Sequence, residues 1–145
     1  MKLWTILFLS CVSEINCDKI YNYYELAIQK WCSEDYMIHG LWPQIDSEHY
    51  PTYCENVEYI VPTGDLLQSM NTYWRGCDDS LWEHEWEKHG SCVKSQGNIT
   101  ESDFFNNTLQ LFQSYKYLID KVCNTNDDNC ILGCFDLDYN YFNLE

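Results

Sequence analysis

The spacing of apolar positions changes several times along the chain, and each change marks an element. From Tyr23 to Trp31 the positions alternate: Tyr24, Leu26 and Ile28 fall on one side, Glu25, Ala27 and Gln29 on the other. That two-residue period predicts a strand. Met37 to Trp42 is a short apolar run broken at Pro43, which predicts a second strand. Gln44 to Thr63 reads as loop, with Pro51, Pro62 and a short strand over Val57 to Val61. After Gly64 the helical period sets in, with Leu66, Leu67, Met70, Tyr73 and Trp74 along one side. Thr100 with Asp103 opens the longest helix, to about Val122, with Phe105, Leu109, Phe112 and Ile119 on one face. Asn124 to Asn129 is a polar turn, and Phe135, Leu137, Tyr139 and Tyr141 alternate as a last strand. Strands and helices mixed in 145 residues predict one α+β domain, an antiparallel sheet core with flanking helices.

One stretch is chemically dense. Ser80 to Cys92 reads Ser-Leu-Trp-Glu-His-Glu-Trp-Glu-Lys-His-Gly-Ser-Cys. Ser80 with Glu83 three residues on is a capping-box start and Gly90 a stop, so the spacing predicts a helix over Leu81 to His89. Residues four apart share a helical face, which pairs His84 with Lys88 and Glu85 with His89. Trp82 and Trp86 form a third ridge, turned to the core. Two imidazoles, a carboxylate and an ammonium then lie close together. A zinc site is the rival reading, but His84 and His89 are five apart, about 140° around a regular helix. A solvated charged helix with incidental histidines is the other.

Composition narrows the setting. Lys2 followed by the apolar run Leu3 to Val12 reads as a secretory signal over residues 1–13, leaving a domain over 14–145. That run is too short to span a bilayer, and no later stretch is apolar enough, so no membrane association is expected. Of nine cysteines, all but Cys11 lie beyond the signal; eight in an exported chain predict disulfides. Asn98-Ile-Thr and Asn106-Asn-Thr are glycosylation acceptors. Net charge is −15, or −16 once the single positive charge of Lys2 is removed. Such a chain is unsuited to broad binding of a polyanion, because phosphate contacts dominate nucleic-acid affinity. A local pocket for one or two nucleotides remains open, and twelve Tyr with six Trp supply stacking surfaces.

Ile38-His39-Gly40-Leu41-Trp42-Pro43 is the second motif. A histidine at a strand end is, alone, an ordinary part-buried residue. Followed some forty residues later by His-Glu-Trp-x-Lys-His-Gly-x-Cys, it closely resembles the two active-site segments of the ribonuclease T2 family of secreted, largely base-nonspecific endoribonucleases. The resemblance runs from about Tyr23 to Leu111. It implies cleavage of single-stranded RNA, not DNA, through a 2′,3′-cyclic phosphate, with neither metal nor cofactor, by a protein acting as a monomer. His39 then looks like the general acid and His89 like the general base. Glu85 and Lys88 match residues that stabilise the phosphorane, and His84 matches a phosphate-holding histidine. Stacking of one base between aromatic rings is implied for Trp42 and Tyr50, with Gln44 reading the same base and Asn71 at a second base site. His49 matches nothing and is expected at the surface. Disulfides Cys32–Cys77 and Cys54–Cys92 are implied, with Cys17, Cys123, Cys130 and Cys134 left to form two more. Lys30-Trp31-Cys32 departs from the family's usual Gln-Trp-Pro, and the part after Leu111 is shortened relative to the family.

Chemistry favours the same set independently. Imidazole titrates near neutrality, so one ring can act as acid while another acts as base. An ammonium where charge develops adds electrostatic stabilisation. The net negative charge predicts raised imidazole pKa values and a mildly acidic optimum. A non-catalytic secreted effector or binding protein on the same scaffold is the alternative, and a metal-dependent hydrolase a third.

Overall fold

The computed structural model describes residues 19–142. The expected signal over residues 1–13 and Cys17 lie outside them. Four strands form one antiparallel sheet in the order β2-β1-β3-β4: β1 Tyr23–Gln29, β2 Met37–Gln44, β3 Asn129–Phe135 and β4 Tyr141–Phe142. The helices are α1 Gly64–Tyr73, α2 Leu81–Glu85, α3 Ser91–Gly97, α4 Glu101–Tyr115 and α5 Ile119–Val122. Tyr24, Leu26 and Ile28 of β1 enter the core as the alternation predicts, meeting Ile38 and Leu41 of β2 and Leu132 and Phe135 of β3. Helix α4 lays Phe104, Phe105, Leu109 and Phe112 on this layer, and Met70 and Trp74 of α1 close it. Burial of these large apolar side chains is the main stabilising term. The α+β architecture is as expected.

Local differences have physical causes. Strand β2 runs through Pro43 to Gln44; it is a sheet edge, where a missing N–H is tolerated. No strand forms over Val57 to Val61. Its backbone is held by side chains instead: Ile60 N–H donates to Glu101, and the Trp86 indole donates to the Glu58 carbonyl. The helix opening at Thr100 has the expected capping box with Asp103. It ends at Tyr115, however, and a 3₁₀ turn over Lys116–Leu118 follows. Phe112, Tyr115 and Leu118 are spaced by three, which a three-residue turn stacks onto the core. The single last strand expected over Phe135 to Tyr141 does not form: β3 begins at Asn129 and ends at Phe135, and β4 is only Tyr141–Phe142. Residues 136–140 form a turn because the Asp136 carboxylate accepts from the backbone N–H groups of Asp138 and Asn140.

Both disulfides implied by the resemblance are present, Cys32–Cys77 and Cys54–Cys92. Cys123 pairs with Cys130, and Cys134 is disulfide-bonded as well. The acceptors Asn98 and Asn106 are exposed. Among the described residues no helix is long and apolar enough to cross a membrane, and no group of three or more His, Cys, Asp or Glu could hold a metal ion.

Candidate active site

The site forms where β2 meets the segment following α2. In the β1–β2 pairing Ala27 faces Gly40 and Ile28 faces Ile38, so His39 is the extra residue of a β-bulge. A bulge bends the strand and re-aims a side chain, which is how Ile38 and Leu41 both reach the core while His39 turns out of it. The Trp74 indole donates to the His39 carbonyl at 2.8 Å and fixes the bulge from beneath.

Opposite, the helix does not stop at Gly90. Residues Trp86–Gly90 form a π-helical turn and the chain continues into α3. Gly90 keeps helical angles, φ −61° and ψ −32°, and is buried against the Trp86 ring, where a Cβ would overlap the indole. The glycine serves close packing, not termination. Ser80 likewise makes no capping box; its N–H and hydroxyl donate to Asp78 instead. Such widened turns recur at functional sites. Here it carries Lys88 and His89, while Glu85 sits immediately before it. Disulfide Cys54–Cys92, the bond from Tyr53 N–H to the Lys88 carbonyl and the bond from Cys54 N–H to Ser91 Oγ tie the preceding loop to this turn.

Glu85 is the centre. Its carboxyl is 1% exposed, with His39 Nε2 at 3.5 Å from Oε1 and His89 Nε2 at 3.9 Å from Oε2. The Trp42 indole donates to Oε2 at 3.0 Å. Gly40 lies directly under this carboxyl, and a Cβ there would collide with Glu85 and with Trp42 Nε1. Trp42 stacks near His89 at 5.5 Å between ring centroids and meets His39 edge-on at 5.0 Å. Nδ1 of both His39 and His89 is buried with no hydrogen-bond partner among the described residues. Ring packing and Glu85 therefore hold the imidazoles, rather than an acceptor behind each ring.

Burial sets the electrostatics. It lowers His39 from 6.5 to about 4, with the charges of His84 and Lys88 acting the same way. It lowers His89 to about 3, again helped by Lys88, His84 and His39. Burial raises Glu85 from 4.5 to about 8, with the Trp42 bond and the Lys88 charge opposing. The expectation of raised imidazole values is thus overturned: a diffuse net charge is outweighed by local desolvation and an adjacent ammonium.

The structure brings His39, Glu85, His89, Lys88 and Trp42 together. His84 acts on the imidazoles by its charge but is itself exposed. Trp42, Gln44 and Tyr50 line one cavity of about 250 Å³ with Lys88 and His89. Asn71 lies on another cavity, of about 160 Å³, with Arg75, Asp78 and Trp82. His49 is exposed and pairs with Asp46 at 2.8 Å. Sequence reasoning missed three contributors. Glu25 lines the Trp42 cavity from β1, Trp31 packs 5.5 Å from the His39 ring, and Trp74 supports the bulge. Glu25 is legible only once the strand register sets it opposite Trp42.

The sequence model of the Ribonuclease T2 family matches residues 6–127. Ribonuclease Trv of Hypocrea rufa is 35% identical over 112 residues, 61% of this chain and 48% of that protein. Ribonuclease 1 of Arabidopsis thaliana is 37% identical over 92 residues, 58% and 39% of the two chains. A Ribonuclease T2-like protein of Aspergillus fumigatus is 36% identical over 101 residues, covering 55% of this chain and 25% of that one. The chain thus spans half or less of the length of these relatives. Among solved structures, the self-incompatibility associated SF11-RNase of Nicotiana alata shares the fold. Its TM-score is 0.51 at 19% identity, over 66% of this chain and 63% of that one.

Proposed function

Since the chain belongs to the Ribonuclease T2 family, we propose that it is a secreted endoribonuclease that cleaves single-stranded RNA without a metal or other cofactor. One observation carries the reading: two imidazoles from separate segments direct Nε2 at the same buried carboxyl. His89 takes the proton from the ribose 2′-hydroxyl as that oxygen attacks phosphorus. His39 delivers a proton to the departing 5′-oxygen, leaving a 2′,3′-cyclic phosphate. Hydrolysis reverses the two roles, with water in place of the 5′-oxygen, and yields a 3′-phosphate. Each positioned acid or base is worth about 10²–10⁴ in rate. Lys88, with His84 behind it, offsets the charge that builds on the phosphorane oxygens. Glu85 positions both rings and exchanges protons with them.

DNA lacks the attacking hydroxyl and is inert. The Trp42–Gln44–Tyr50 cavity takes one base and the Asn71 cavity a second. Three disulfides among the described residues fit an oxidising, extracellular or degradative compartment.

The test is digestion of a short RNA in EDTA with mass analysis of the product ends. Cyclic-phosphate ends that convert slowly to 3′-phosphates are expected from the wild type. His39→Phe and His89→Phe should each lose at least about 10²-fold in kcat/KM while folding and export persist. Intact RNA with the wild type would leave a binding protein on this scaffold.

A further inference from the structure

The cavity beside His89 holds a group that neither the motifs nor the acid–base chemistry uses. Its polar lining carries the carboxyls of Glu25 and Glu48, the Gln44 amide, the Ser47 hydroxyl and the Lys88 ammonium already assigned to the phosphate, beside the rings of Trp42 and Tyr50. Glu25 reaches it from β1, where the register sets it opposite Trp42. Desolvation is the cause that shifts its carboxyl, upward from 4.5, and no hydrogen bond among the described residues compensates. Gln44 is 6% exposed. A half-buried carboxyl without a donor is costly, so a ligand that brings donors is favoured there.

We propose that Glu25 is a specificity-determining residue that selects guanine for the cavity between Trp42 and Tyr50. This rests on the endoribonuclease reading and names the base that the site takes. Two donors brought by a ligand favour the ionised form of Glu25, and an ionised carboxylate only accepts hydrogen bonds. Guanine alone among the four bases presents two adjacent donors on its pairing edge, N1–H and the N2 amino group, which a carboxylate accepts side by side. Its O6 is then an acceptor for the Gln44 amide. Adenine and cytosine place a ring-nitrogen acceptor beside their amino group, against the second carboxylate oxygen. Uracil offers a single donor flanked by two carbonyls, which Glu25 and Glu48 repel. The aromatic pair supplies stacking that every base shares, so it adds affinity without choice. Discrimination falls to the polar edge. A well-formed two-point contact of this kind typically discriminates by about 10-fold or more.

The measurement is kcat/KM over the sixteen dinucleoside monophosphates, so that each side of the scissile bond carries every base in turn. At one of the two positions guanine should exceed uracil by about 10-fold or more in the wild-type protein. Glu25→Gln, which keeps the shape but donates as well as accepts, should reduce that guanine-to-uracil ratio several-fold at the same position. Wild-type preference for uracil, equal use of all bases, or an unchanged ratio in E25Q would overturn the assignment. So would an equal loss on all sixteen substrates, which would make Glu25 a structural support. If no dinucleotide is cleaved, the nuclease reading fails separately. Binding of GMP against UMP to the wild type, read by tryptophan fluorescence, still decides the pocket: tighter GMP supports it and equal binding refutes it.

Discussion

A carboxyl at 1% exposure between two imidazoles cannot titrate independently of them. Desolvation holds His39 at about 4, His89 at about 3 and Glu85 at about 8, so the neutral forms prevail together near pH 6. Catalysis needs one ring charged and the other neutral, a combination that becomes common only as pH falls toward these lowered values. The free-enzyme profile of kcat/KM should therefore peak clearly on the acid side of the ordinary imidazole value of about 6.5. A stopped assay on a short RNA across the acid range checks this, and a maximum at or above neutrality contradicts it. Glu85→Gln keeps an acceptor for Trp42 but removes the proton-exchanging oxygen. We expect kcat to fall by about 10²-fold or more, with KM changed far less because the base cavity is lined by other residues.

At the scale of elements, a bulge and a widened helical turn bring His39 and His89 to one carboxyl, and each relies on a glycine with no room for a methyl group. Gly40→Ala would push on Glu85 and the Trp42 indole, both in the proposed site. It should cost about 10²-fold in activity, since small displacements of catalytic groups are that expensive. Gly90→Ala pushes on Trp86, a core residue. It should cost about 1–3 kcal/mol of stability, seen as a lowered Tm. The contrast between the two variants is what separates site from core. The sequence makes part of this legible. Residues Glu85 and His89, four apart, do share a face, and the alternation at Tyr24, Leu26 and Ile28 does face the core. The extension beyond Gly90 escapes notice because glycine is a helix stop by habit, whereas here its missing side chain admits an indole. The bulge at His39 and the start of β3 at Asn129 are pairing facts, both set by β1, which lies near His39 in sequence but roughly a hundred residues from Asn129. Ser80 makes no capping box because Asp78, two residues earlier, takes both its N–H and its hydroxyl.

For the whole molecule, the buried site ties stability to pH in a direction opposite to activity. His39 and His89 have folded values below their ordinary 6.5, so the unfolded chain binds more protons as pH falls through that value. Their contribution is fully present above about 6.5 and is lost in acid. Glu85 has a folded value above its ordinary 4.5, so the folded state holds the extra proton. Its contribution is present below 4.5 and is lost as pH rises toward about 8. Between 4.5 and 6.5 the two imidazoles outweigh one carboxyl and stability rises; from 6.5 to 8 only the carboxyl acts and stability falls. These three groups place their combined maximum near 6.5, well above the pH at which the site is charged for catalysis. Glu55 and Asp103, lowered by hydrogen bonds to their ionised forms, add to the acid side of the decline. The disulfides Cys32–Cys77 and Cys54–Cys92 counter that loss. Denaturant unfolding of the wild type and Glu85→Gln over pH 5–8 isolates the carboxyl. The variant should gain on the wild type as pH rises, by up to about 1.4 kcal/mol per pH unit for one proton. A constant difference across that range would mean that Glu85 is already ionised in the folded protein, against the upward shift that burial imposes.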